Sequence, residues 1–139
     1  MASTKIESDH VTVNASQATV FTYLSDFNNY KNLLPQDKIS DWKATVDDCS
    51  FKIQNAAVIP LVKKSVEPSN IINIVSGEKT PFPFTLVVHI DPISESDNDN
   101  CEVFLKFDGD INAFLKMMVM KPLTNLFNYM AKKVQDVHA

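Results

Sequence analysis

The stretch His10-Val11-Thr12-Val13-Asn14-Ala15-Ser16-Gln17-Ala18-Thr19-Val20-Phe21-Thr22-Tyr23-Leu24-Ser25-Asp26-Phe27 decides the architecture, together with its continuation Asn28-Asn29-Tyr30-Lys31-Asn32-Leu33-Leu34-Pro35. It reads as a strand, a capped short helix and a second short helix. Ser16 is the cap of the first, because its hydroxyl can accept from a free amide of the first turn. Val20, Phe21, Leu24 and Phe27 recur at helical spacing. Asp26 can cap the second, which carries Tyr30, Leu33 and Leu34. Pro35 stops it, since the residue before a proline is pushed out of the helical region. At the far end one long apolar helix runs from about Asn112 to Val137, and only strands and turns lie between. A curved sheet holding one long helix encloses a cavity, and a cavity suggests a bound apolar molecule.

Working outward, Thr4 to Val13 reads as the first strand. The spacing from Ile6 to Val11 breaks strict alternation, as a bulge or an edge position would. Further strands are predicted over Ile39 to Val46, Cys49 to Gln54, Ala57 to Val66, Ile71 to Val75, Phe84 to Ile90 and Cys101 to Phe107. Pro60 marks its strand as an edge or a bulge. Short turns between them give antiparallel pairing.

On a helical wheel Leu115, Val119, Pro122, Leu126, Met130 and Val137 form one stripe, flanked by Leu123, Phe127 and Val134. The first half of the helix differs. Ile111, Phe114, Leu115, Met117, Met118, Val119 and Met120 surround it, so it should be covered on all sides. Packing under loops, a dimer contact and the wall and lip of a ligand cavity all fit that pattern. Pro122 predicts a kink near residues 118 to 122.

The 139 residues are 45% hydrophobic and 22% charged, which suits one domain with a full core. A net charge of -4 argues against nucleic acid and weakens a polybasic membrane-surface reading. Cys49 and Cys101 lie outside any CxxC, and His10, His89 and His138 are scattered, so no metal site is expected. Both cysteines read as small core residues, with a disulfide as the alternative. Met1 to Glu7 lacks the apolar region of a signal peptide. The longest near-apolar run, Ala113 to Met120, falls short of the roughly 20 residues that span a membrane. The expectation is a soluble, cytoplasmic domain.

The order of elements resembles the START-like, Bet v 1-like superfamily (SRPBCC domains), which includes polyketide cyclase/dehydrase and lipid-transport domains. The local matches are Val11 to Asp26 and Asn112-Ala113-Phe114-Leu115-Lys116-Met117-Met118 through Asn128. The resemblance implies an α+β helix-grip fold. A curved seven-stranded antiparallel sheet would wrap one long C-terminal helix, with two short helices after the first strand. The space between sheet and helix commonly receives lipids, sterols or polyketides in that family. Carried onto this chain, its walls would be Phe51, Ile53, Ile72, Ile74, Leu86, Val88, Leu105 and Phe107, facing Phe114, Leu115, Met118 and Val119. Each of these residues is also what plain core looks like. A register slip of one residue would flip a whole strand's set, and the face of Ile71 to Val75 is open.

No catalytic constellation is visible, and no cofactor is implied. Gly77 and Gly109 are the only glycines, which nearly rules out a phosphate-cradling loop. A cyclase or dehydrase needs a tuned acid or base in its pocket, and the titratable candidates are His89, Asp91, Tyr23, Tyr30 and Lys106. By alternation His89 and Lys106 face outward. Trp42 reads as core or rim, or as a surface on which a ligand stacks. Lys63 and Lys64 read as solvated strand-edge residues, or as contacts for an anionic head group. Phe82, between Pro81 and Pro83, is a candidate gate or partner contact, or a lid folded on the core. Three functions stay open. The first is carriage of a small hydrophobic, lipid- or polyketide-like ligand. The second is a cyclase/dehydrase-type enzyme. The third is an interaction module, homodimer included, working through Phe114 to Met120.

Overall fold

The computed structural model describes residues 3–53, 57–78, 80–94 and 99–138. The chain runs β1 (Thr4–Glu7), β2 (Val11–Val13), α1 (Gln17–Ser25), a 3-10 helix (Phe27–Leu33), β3 (Ile39–Ala44), β4 (Asp48–Ile53), β5 (Ala57–Glu67), β6 (Ile71–Ser76), β7 (Phe84–Pro92), β8 (Cys101–Gly109) and α2 (Ala113–Val137). One antiparallel sheet has the order β1-β8-β7-β6-β5-β4-β3, and β2 also pairs with β8. This is the helix-grip arrangement.

The broken alternation near the N-terminus has a physical cause. β1 and β2 are two halves of one edge strand on β8, with Ile6 opposite Phe107 and Val11 opposite Val103. Ser8 bridges the interruption. Its N–H donates to the Leu105 carbonyl at 2.9 Å, and its hydroxyl accepts from the Leu105 N–H at 2.8 Å. The side chain thus satisfies a buried amide that the ladder would otherwise leave bare.

Pro60 needs a correction, because β5 lies inside the sheet between β4 and β6. The proline is tolerated there because β6 ends opposite Leu61, so the neighbouring position has no ladder partner to supply. The Pro60 carbonyl instead accepts from the Gly77 N–H at 3.1 Å. A side chain on Gly77 would meet the Pro60 Cβ at 2.9 Å, so only glycine permits that approach. Lys63, on the same inner strand, is also not a solvated edge residue. Its ammonium lies 5.4 Å from the centre of the Phe27 ring and 3.1 Å from Asp47. Lys64 is exposed.

The helices begin where their caps place them. The Ser16 hydroxyl accepts from the Thr19 N–H at 3.2 Å, and Asn112 accepts from the Leu115 N–H at 2.9 Å. Asp26 accepts from the Asn28 N–H at 3.0 Å and opens the 3-10 helix. Helix α2 buries Val119, Leu123, Leu126, Phe127, Met130, Ala131 and Val134. The buried stripe is therefore centred on Leu123, Phe127 and Val134, and Val137 is 44% exposed. Asn128 and Gln135 fasten α2 to the edge strand. Asn128 accepts from the Asp9 N–H at 2.8 Å, and Gln135 donates to the Thr12 carbonyl at 2.8 Å.

Replacing Ser8 by alanine should lower the unfolding free energy by about 1–3 kcal/mol, the cost of a buried amide left without a partner. Urea denaturation of the variant and the parent measures this.

Candidate functional site

Alternation puts one residue set of each strand toward α2, and cross-strand pairing stacks these sets into rows. Ile72 lies opposite Val88 and Val88 opposite Leu105, while Ile74 lies opposite Leu86 and Leu86 opposite Phe107. Phe51 and Ile53 continue the face on β4, with Phe51 opposite Ile59. All eight candidate strand residues are buried, and so is Val119 of α2. Phe107 packs on Phe127 of α2 with ring centres 5.4 Å apart.

Under the second half of α2 the interior is lined by apolar side chains and Tyr30. A void of about 10 Å³ lies among Leu24, Tyr30, Leu33, Val88, Val103, Leu105, Met130 and Val134. That is close to the least volume that holds one water molecule. Val103, Met130 and Val134 were missed as lining residues. Val103 shares the alternation of Leu105, so its signal was present in the strand. Leu24, Tyr30 and Leu33 come from the short helices that plug this end, and only the tertiary fold brings them there.

The first half of α2 is different. Phe114 is 72% exposed, Met117 87% and Met118 47%, whereas Leu115 is half-buried. The expectation that this half is covered on all sides is corrected. So is the placement of Phe114 and Met118 as inward walls. Turning Val119 and Leu123 to the sheet fixes the helical phase and carries positions 114, 117 and 118 outward. Pro122, four residues after Met118, separates the two halves and leaves the Met118 carbonyl without its helical donor.

Phe82 is 2% exposed and folds back onto the core. It packs on Phe84 and Phe107 with ring centres 6.0 and 6.4 Å away. Thr80 holds the loop, its hydroxyl donating to the Phe82 carbonyl at 2.5 Å. Trp42 is half-buried and stacks on Phe51 at 6.3 Å.

Of the titratable candidates only Tyr30 reaches the interior. His89 and Lys106 lie on the outer face beside Phe104. Asp91 accepts from Asn70, and the Tyr23 hydroxyl accepts from Asn32. Tyr30 is fully buried against Phe27, and its hydroxyl has no hydrogen-bond partner among the described residues. Burial pushes its pKa up, so the phenol stays neutral and is a donor rather than a base. No three His, Cys, Asp or Glu side chains among the described residues cluster to hold a metal. Two open grooves of about 420 Å³ each lie on the outer side of the sheet around Thr85 and Asp108.

Cys49 and Cys101 are free and buried. Burial raises the Cys49 thiol to about 12 and the Cys101 thiol to about 11. Neither should react with a thiol-specific reagent at pH 8 in the folded protein, and both should react in denaturant. A colorimetric thiol assay with and without guanidinium checks this.

No family model matches the chain, and neither does any curated protein. Solved structures do match its fold. A START superfamily protein from Mycobacterium smegmatis superposes with a TM-score of 0.70 at 15% identity, covering 96% of each chain. The protein XoxI from Bacillus cereus gives 0.70 at 13% identity, over 99% of this chain and 96% of that one. Norcoclaurine synthase from Thalictrum flavum, in complex with dopamine and hydroxybenzaldehyde, gives 0.69 at 15% identity, over 98% of this chain and 86% of that one. The fold is therefore START-like, Bet v 1-like. Among the described residues no helix is long and apolar enough to cross a membrane.

Proposed function

We propose that the chain binds a small hydrophobic ligand, lipid- or polyketide-like, between the sheet and α2, and that it does so by opening the first half of that helix. The observation that carries this reading is the unequal seating of α2. Its second half buries Leu123, Leu126, Phe127, Met130, Ala131 and Val134, while its first half is seated chiefly through Val119. The inner face of the sheet carries Ile72, Ile74, Leu86, Val88, Leu105 and Phe107, of which Val88 and Leu105 lie under the second half of α2, a hydrocarbon face that suits an apolar molecule. Lifting the first two turns opens a way to that face, and a ligand that enters replaces the lost contacts. Phe82 closes the same space from the sheet side, since it rests on Phe84 and Phe107. Pro122 supplies the hinge, because the helix already lacks one backbone bond there.

Titration with the fluorescent apolar probe 1-aminoanthracene tests this. Saturable uptake is expected, and probe at a hundred times its Kd should add about 2.7 kcal/mol to folding stability. Val119→Ala should speed uptake by loosening the seated contact. Pro122→Ala should slow it by restoring a donor for the Met118 carbonyl. Absence of saturable uptake by the parent and by the Val119 variant alike overturns the proposal.

A second reading rests on a separate observation, the outward cluster of Phe114, Met117 and Met118. Large contiguous apolar patches on a surface mark interaction sites. The cluster would then be a homodimer or partner contact. Replacing Phe114 and Met117 by serine leaves the core untouched. If this reading holds, sedimentation should show a dimer for the parent and a monomer for the double variant. A parent that stays monomeric at high concentration removes it.

A further inference from the structure

The geometry points to His10 as a proton-operated latch that holds the β1–β2 join, and through it α2, against β8. His10 sits in the interruption between β1 and β2. Its Nε2 is 2.6 Å from a Glu7 carboxylate oxygen, and its Nδ1 is 2.7 Å from one of Glu102. Its ring lies flat on Phe104, with centres 3.9 Å apart and planes 6° from parallel. His89 of β7 covers the opposite face of the same ring at 4.6 Å. Phe104 is thereby only 7% exposed, although it points to the outer side of the sheet.

Two carboxylates on two ring nitrogens decide the protonation state. Carboxylates only accept, and a neutral imidazole has one N–H and one lone pair. The neutral ring can serve one glutamate and must turn a lone pair toward the other. Only the imidazolium donates to both. The surrounding charges agree: Glu7 and Glu102 hold the His10 pKa above the ordinary histidine value. Lys106 faces Glu7 at 3.8 Å, and burial lowers the pKa of His89, which sits near Asp91. One cation is therefore favoured on this stack rather than two. Hydrogen bonding to His10 lowers the Glu7 pKa. The latch contribution is complete below the ordinary histidine pKa, provided that Glu7 is ionised. It fades as pH rises through the elevated His10 pKa.

The mechanical consequence follows from the neighbouring residue. The Asp9 N–H donates to Asn128 in the middle of α2. Loss of one glutamate frees the join that presents this amide, so the tie between sheet edge and helix loosens. The latch stands on the outer face and is independent of what occupies the interior.

Imidazole nitrogen NMR and amide exchange on the full chain test it. His10 should titrate above free histidine, and Glu102→Gln should lower its pKa. Asp9 protection, corrected for intrinsic exchange, should fall roughly threefold to tenfold through that titration, the worth of one hydrogen bond. His10→Gln should show the low value at every pH. A His10 that titrates like free histidine overturns the latch, as does Asp9 protection that stays level through the His10 titration.

Discussion

A broad sheet with one apolar face has a single long helix to cover it. Most of the structure answers that constraint. The inner residues of β4 to β8 must leave water, and α2 reaches only part of that width. The sheet therefore curls, and other pieces fill in. Leu24, Phe27, Tyr30 and Leu33 plug one end, and Phe82 folds over Phe84 and Phe107 elsewhere. Each buried aliphatic side chain contributes roughly 1.5–3 kcal/mol. A cover assembled from three separate chain segments is thermodynamically sound. It also has seams between those segments.

The seams explain why interior and helix differ so much in character. Under the second half of α2 lies a void of about 10 Å³, close to the least volume that holds one water. Over the first half, apolar side chains that could have been buried point to solvent. Chemically the interior is plain. Its buried phenol, Tyr30, is neutral, and among the described residues no carboxylate or imidazole is buried with it.

Much of the fold was legible because its signals are local. Ser16, Asp26 and Asn112 cap where their side chains can reach a free amide. Period-two alternation grouped Ile72 with Ile74 but left open which face of that strand is apolar, and their burial in the fold answers it. Signals that depend on a partner were not legible. Pro60 looked like an edge residue because nothing local says that β6 stops opposite Leu61. Lys63 looked solvated because its partners, Phe27 in the 3-10 helix and Asp47 in the turn between β3 and β4, are distant in the chain. Phe114 and Met118 share the composition of a wall. Their outward direction follows from a helical phase that Leu123, Phe127 and Val134 set further along. The stacking of His10 and His89 on Phe104 has no pattern in the sequence at all.

The position of β8 bears on how the chain matures. It is the neighbour of both the N-terminal edge strand and β7, and Ser8 bonds to Leu105, 97 residues further along. Pairings of such separation are slow to close. On a ribosome the first dozen residues have no native partner until nearly the whole domain has emerged. Val11, Val13 and the helix after them wait in that interval as adhesive surface. The last strand to be made is the one that ends their exposure.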